Sequence, residues 1–142
     1  MTDIVKAKQL LDKGGYTSVI CRADEVYTST ARGVAPILSL IDDGVKLDGA
    51  AAADKVIGKA AAMLLVYSGV TDIYGAVMSR MAEEYLAAQG VRYSCGELCD
   101  RIINRSGDGF CPMELAVADI DDPAQALQTI RNRLEELRKD GK

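Results

Sequence analysis

The run Cys111-Pro112-Met113-Glu114, reached through the glycine loop Asn104-Arg105-Ser106-Gly107-Asp108-Gly109, places a thiol where a helix is set to begin. Proline suits the first helical position, where a missing N–H costs nothing, and a glutamate in the first turn complements the positive end of the helix dipole. Cys111 is then the N-cap. Unpaired N–H groups facing the sulfur favour thiolate over thiol, the setting that lowers a cysteine pKa and makes sulfur nucleophilic. Glu114 is the group placed to orient or transfer a proton. The chain contains no histidine, so neither a Ser-His-Asp nor a Cys-His arrangement can be assembled, and a nucleophile must be activated by a helix start, a lysine or a carboxylate. The bland use of the same residues is a small side chain packed at a helix start, which Pro112 and Glu114 would serve equally well.

A second group of candidates is cationic. Asp54 reads as a helix N-cap, which would set Lys55 and Lys59 one helical turn apart on one face of the first turns. Cations there oppose the macrodipole unless an anion sits between them and the free N–H groups. Gly58, costly inside a helix, would let backbone or ligand come close. Ser79 and Arg80 follow an apolar run and so fall at a strand's carboxyl end, where open α/β sheets bind ligands. Asn104 and Arg105 sit in the glycine loop, and the planar fork of Arg105 suits phosphate or carboxylate. Solvated lysines and arginines and a purely capping serine are the competing readings.

Metal is a poor fit to this residue set. Cys95 and Cys99 are four apart and Cys111 lies twelve further on, whereas structural zinc sites pair ligands as C-x2-C or supply histidine. Together with Cys21 they read as free thiols, mostly semi-buried. No cofactor is expected.

These side chains must be positioned by elements, and the composition supports one domain over residues 1–142, 49% hydrophobic and long enough to close a core without disulfides or metal. A net charge of -4 argues against a nucleic-acid or anionic-membrane surface, both of which need a basic field. The longest apolar stretch, 60–67, cannot span a bilayer, and the N-terminus carries no leader pattern. A cytoplasmic protein with free thiols is expected.

Along the chain, Asp3 caps a helix with Ile4, Ala7 and Leu11 on one face, and Gly14-Gly15 ends it. Residues 16–22 and 25–28 read as a β-hairpin turning at Ala23-Asp24. Val34, Ile37, Leu38 and Ile41 mark a short helix, 49–53 a loop of small residues, and 54–67 a central helix apolar almost all round. A strand over 70–77, a helix from Ser79 to Gln89 and a strand over 91–94 give the alternation of a parallel βαβ layer. Residues 96–103 read as a helix. The last helix starts at Asp122-Pro123 and carries a stripe of Leu127, Ile130, Leu134 and Leu137, suited to the core or to a homodimer seam.

Taken together, Asp54-Lys55-x-x-Gly58-Lys59-Ala60-Ala61, the helix start at Ser79, and Asn104-Arg105-x-Gly107-x-Gly109-x-Cys111-Pro112-Met113-Glu114 resemble a bacterial family of unknown function in the cytidine deaminase-like superfamily. The resemblance covers most of the chain and implies an α/β protein folded as a three-layer α/β/α sandwich around a mixed sheet. True deaminases hold zinc with a His/Cys-x-Glu and a Pro-Cys-x-x-Cys. The corresponding places here fall near Gly58-Lys59-Ala60 and Val77-Met78-Ser79-Arg80, neither of which supplies those ligands. The expectation is a zinc-independent protein whose pocket joins Asp54, Lys55, Lys59, Ser79, Arg80, Asn104, Arg105, Cys111 and Glu114 and takes a small anionic metabolite or nucleotide. In one version Cys111, Lys59 and Glu114 are catalytic; in the other the same pocket belongs to a non-catalytic sensor.

Overall fold

The first helix, α1 (Asp3–Gly14), is capped by Thr2 rather than Asp3: the Val5 N–H donates to Thr2 Oγ1 at 3.4 Å. Asp3 turns instead to the hairpin, where its carboxylate accepts from the Ala23 N–H at 3.2 Å. Gly15, at φ +72°, closes the helix in the left-handed conformation that glycine adopts without a Cβ penalty. This computed structural model describes residues 2–31, 33–102 and 111–139.

The hairpin follows as β1 (Ser18–Arg22) and β2 (Glu25–Ser29), then α2 (Ala35–Asp42) with a proline in its first turn. The next element differs from the sequence expectation. Residues 51–57 form a strand, β3 (Ala51–Ile57), and the central helix α3 (Lys59–Tyr67) begins only after it, with Gly58 as N-cap. Asp54 and Lys55 therefore lie on a strand, and Asp54 caps no helix. β4 (Asp72–Ser79), α4 (Arg80–Gln89) and β5 (Arg92–Cys99) complete the alternation, followed by α5 (Pro112–Ala116) and α6 (Pro123–Lys139). The helix expected from residue 96 is replaced through Cys99 by the second half of β5; residue 103 and the glycine loop 104–109 lie outside the described residues.

The five strands form one mixed sheet in the order β2-β1-β3-β4-β5. β1 runs antiparallel to both β2 and β3, while β3, β4 and β5 are mutually parallel, joined through α3 and α4. Side chains alternate across the sheet along β1. Val19 and Cys21 join Ala53, Ala7 and Leu11 beneath α1, whereas Ile20 points to the opposite core with Ala52, Ile73 and Met78. That larger core also takes α2 through α6, and α3 is buried from Lys59 to Leu65. Of the predicted stripe on α6, Ile130 is fully buried and Leu127, Leu134 and Leu137 lie half-covered against this core. Among the described residues no helix is long and apolar enough to cross a membrane.

Candidate functional site

Two helices start side by side at the carboxyl ends of parallel strands. β4 runs into α4 through Ser79, whose Oγ caps the helix by accepting from the Ala82 N–H at 3.1 Å. β3 runs into α3 through Gly58, which has no side chain with which to cap. The first N–H of α3 is satisfied from 55 residues away: Lys59 N donates to Glu114 Oε2 at 2.9 Å. The same oxygen accepts the Ser79 hydroxyl in a short hydrogen bond, and Glu114 Oε1 accepts from the Ile102 N–H at 3.2 Å.

Glu114 is only 4% exposed. A carboxylate withdrawn from water to this degree is tolerated when donors replace its hydration, and here two helix starts and one loop amide do so. Gly58 explains the closeness. A Cβ on that residue would stand 3.1 Å from Glu114 Oε2 and 3.4 Å from Ile102 Cγ1, so the close approach anticipated for a ligand is made by the protein's own side chain.

Lys59 divides its interactions among three neighbours. Its N–H serves Glu114, while its side chain donates from Nζ to the Ala118 carbonyl at 3.0 Å and stands 3.9 Å from Asp121 Oδ1. The ammonium group borders a cavity of about 410 Å³ whose wall includes Tyr85, Met81, Ala88, Glu84 and Asp121. Lys59 and Tyr85 are its buried members, and Glu84 and Asp121 are exposed.

The remaining predicted residues are not gathered here. Lys55 is exposed on β3, its backbone N–H bonded to the Thr17 carbonyl at 3.0 Å, so it shares no helical face with Lys59 and the two form no joint anion clamp. Asp54 pairs across β1 with Ser18. Burial pushes its carboxyl up to about 7, against hydrogen bonds from the Val56 N–H, the Ser18 hydroxyl and the Lys55 N–H. Arg80 is exposed and paired with Asp100 at 2.6 Å. Asn104 and Arg105 lie outside the described residues.

Cys111 does occupy the N-cap of α5, as predicted, but α5 is five residues long and the thiol makes no capping hydrogen bond. Its backbone N–H donates to the Ile102 carbonyl at 2.8 Å. That bond ties together two segments that both meet Glu114. Burial raises the thiols of Cys21 and Cys99, the latter also through the charges of Glu114 and Glu97.

Sequence reasoning missed Tyr85, Ala118 and Asp121. Tyr85 carries the ordinary apolar periodicity of α4, and the other two lie in the connection between α5 and α6; only tertiary packing brings them to Lys59.

These features define an α/β protein with a mixed five-stranded sheet and, among the described residues, six helices, two of which converge on one buried carboxylate. The chain belongs to the TM1506 family, described as a domain of unknown function (DUF1893), which matches residues 6–134. Its fold is similar to the crystal structure of a DUF1893 family protein (TM1506) from Thermotoga maritima, with 23% sequence identity and a TM-score of 0.84, covering 94% of this chain and 91% of that one. No curated protein matches the chain.

Proposed function

We propose that this chain is a zinc-independent, non-catalytic small-molecule-binding protein with a cytidine deaminase-like, three-layer α/β/α fold. Its ligand is a small carboxylate- or phosphate-bearing metabolite, nucleotides included, taken into the cavity beside Lys59. The layered fold is supported by α1 lying on one face of the sheet and the other helices on the opposite core. The observation that carries the functional reading is the seat of Glu114: its carboxylate accepts from the Lys59 N–H and the Ser79 hydroxyl. Those donors stand at the helix starts where a deaminase would present its zinc and attacking water. The zinc does not fit them, because a metal needs lone pairs and both groups direct hydrogens toward Glu114. With that position filled by the protein's own anion, the Lys59 ammonium is left as the cation of the adjacent cavity.

Phosphate, nucleoside monophosphates and small carboxylates provide the test. A ligand of the native state raises Tm, by about 2.7 kcal/mol of added stability at a hundredfold excess over Kd, and Lys59→Met should abolish the shift. A complete panel without any shift in the wild-type protein would remove the binding reading.

A second reading, a cysteine-dependent enzyme acting on the same class of metabolite, draws on the uncapped thiol of Cys111. Alkylation followed by mass-spectrometric mapping separates the two. The binding reading expects Cys111 to label no faster than the half-buried Cys95 and to ignore Lys59→Met. Preferential labelling of Cys111 near neutral pH, slowed by that substitution, would transfer the case to the enzyme.

A further inference from the structure

The three parallel strands shift which of their residues face the core. Ala52, Ile73 and Tyr93 form one row across β3, β4 and β5, and Ile57, Met78 and Leu98 form another; both rows pack into the larger core, yet they are five residues apart on every strand. Strict alternation would put residues five apart on opposite faces. The pairing runs from Asp54, Gly75 and Cys95 directly to Val56, Val77 and Glu97 and passes over Lys55, Ala76 and Gly96, an aligned bulge through all three strands. Each strand therefore turns two successive residues to the face on which α1 lies.

That face is only partly covered. α1 packs on β1, Ala53 and Tyr74, with Lys8 Nζ 4.4 Å from the centre of the Tyr74 ring. Beyond Tyr74 the bulge is open: Val56 is 45% exposed, Ala76 and Val77 are half-buried, and Lys55 and Glu97 are exposed. Parallel strands are ordinarily covered on both faces, so open valines on the two interior parallel strands mark a missing layer.

The charges flanking the valines say what fits there. Lys55 stands on β3 and Glu97 on β5, to either side of Val77, and among the described residues neither enters an ion pair. A Cβ on Gly96 would stand 2.9 Å from the Ala76 carbonyl oxygen and 3.2 Å from the Tyr74 hydroxyl, so the sheet beside Glu97 has a bare floor. A cation at one side, an apolar centre, and an anion with a bare floor at the other make the patch complementary to itself when turned about an axis along β4.

We infer that this face is a homodimer interface, on which a second copy packs sheet against sheet about a two-fold axis parallel to β4 and close to Val77. Val77 meets its own copy, while the partner's Lys55 lays its stem over Gly96 and its ammonium on Glu97, twice by symmetry. Sheets packed face to face, about 10 Å apart, keep their strands roughly aligned, as an axis along β4 requires.

Sedimentation velocity and light scattering on the full chain, over about a hundredfold range of concentration, should show a concentration-dependent dimer. Val77→Lys sets two cations against each other at the axis and should leave a monomer, with Tm at the dilute end of the range checking that it folds. Lys55→Glu and Glu97→Lys change exposed side chains outside the core; each should weaken dimerisation at least about tenfold, and the double variant should return it to within about threefold of wild type. A wild-type monomer at every concentration would overturn the proposal. So would a dimer that survives Val77→Lys and both charge reversals, which would place the contact elsewhere, as on α6. Single reversals that weaken the dimer without recovery in the double variant would overturn the two-fold pairing.

Discussion

Glu114 reaches across from α5 to accept hydrogen bonds from Lys59, Ser79 and Ile102, whereas Asp54, on the central strand β3, is held at about 7 by burial in spite of its own hydrogen bonds. Asp54 lies in the middle of β3 and Glu114 binds just beyond its carboxyl end, and neither lines the Lys59 cavity. The difference lies in what replaces water. Glu114 is nearly sealed but collects the first N–H of one helix and the capping hydroxyl of another; Asp54 is less buried but has donors from its own strand and Ser18 only. Donors that replace the hydration of a buried carboxylate can come from its own strand or from distant parts of the chain.

Removing Glu114 should have the largest effect. Glu114→Ala withdraws the acceptor shared by three donors and opens a buried space, so a loss of about 3 kcal/mol or more is expected in urea unfolding. A loss below about 1 kcal/mol would mean that water substitutes freely for the carboxylate, and the contrast with Asp54 would collapse.

Asp54 should respond in the opposite direction. Its folded pKa is raised from 3.8 to about 7, so between those values the folded state holds a proton that the unfolded state has released. Stability therefore falls as pH rises through this window and becomes independent of this group above it. Asp54→Asn should remove the dependence and stabilise the protein above pH 7 by on the order of 2 kcal/mol after solvent screening of a half-buried group. Equal unfolding free energies for the two proteins at pH 5 and pH 8 would show that Asp54 titrates normally.

Gly58→Ala probes the closeness of Glu114 with the smallest change. The added methyl would meet Glu114 Oε2 at 3.1 Å and Ile102 Cγ1 at 3.4 Å, tight enough to shift the carboxylate and lengthen its hydrogen bond from the Lys59 N–H. A loss of about 2 kcal/mol is expected, greater than the roughly 0.5–1 kcal/mol by which glycine outranks alanine at an exposed N-cap. In a Glu114→Ala background the penalty should shrink, since the atom it displaces is gone; an unchanged penalty would place the strain at Ile102 instead.

What was legible in the sequence follows the same division between local and remote causes. Gly15 as C-cap, the turn at Ala23-Asp24, Ser79 as N-cap and the start of α6 after Asp122 all depend on neighbours in the chain and were read from it. β3 was not. Ala51, Ala52 and Ala53 are poor strand formers and resemble a loop, yet a strand flanked on both faces by packed elements can be built from small apolar residues, and these three are fully buried. Placing that stretch in a loop carried Asp54 and Lys55 onto a helix and created the expected pair of lysines. Glu97 and Leu98 gave β5 a helical look that pairing with Val77 and Met78 overrides. For the site, Gly58 announced a close approach and Lys59 a cation beside it, but the identity of the approaching group lay 55 residues further on, beyond any periodicity or capping rule.

That separation also has a consequence in time. α3 is the most deeply buried helix of the fold, yet the acceptor for its first N–H is made only after β4, α4 and β5 have been synthesised. At the ordinary pace of translation, about 5–20 residues per second, the helix waits several seconds on the ribosome with its start unanchored. A nascent chain halted before Glu114 should therefore fray first at Lys59, and protection of that amide from hydrogen exchange would record the moment at which the late segment closes onto the sheet.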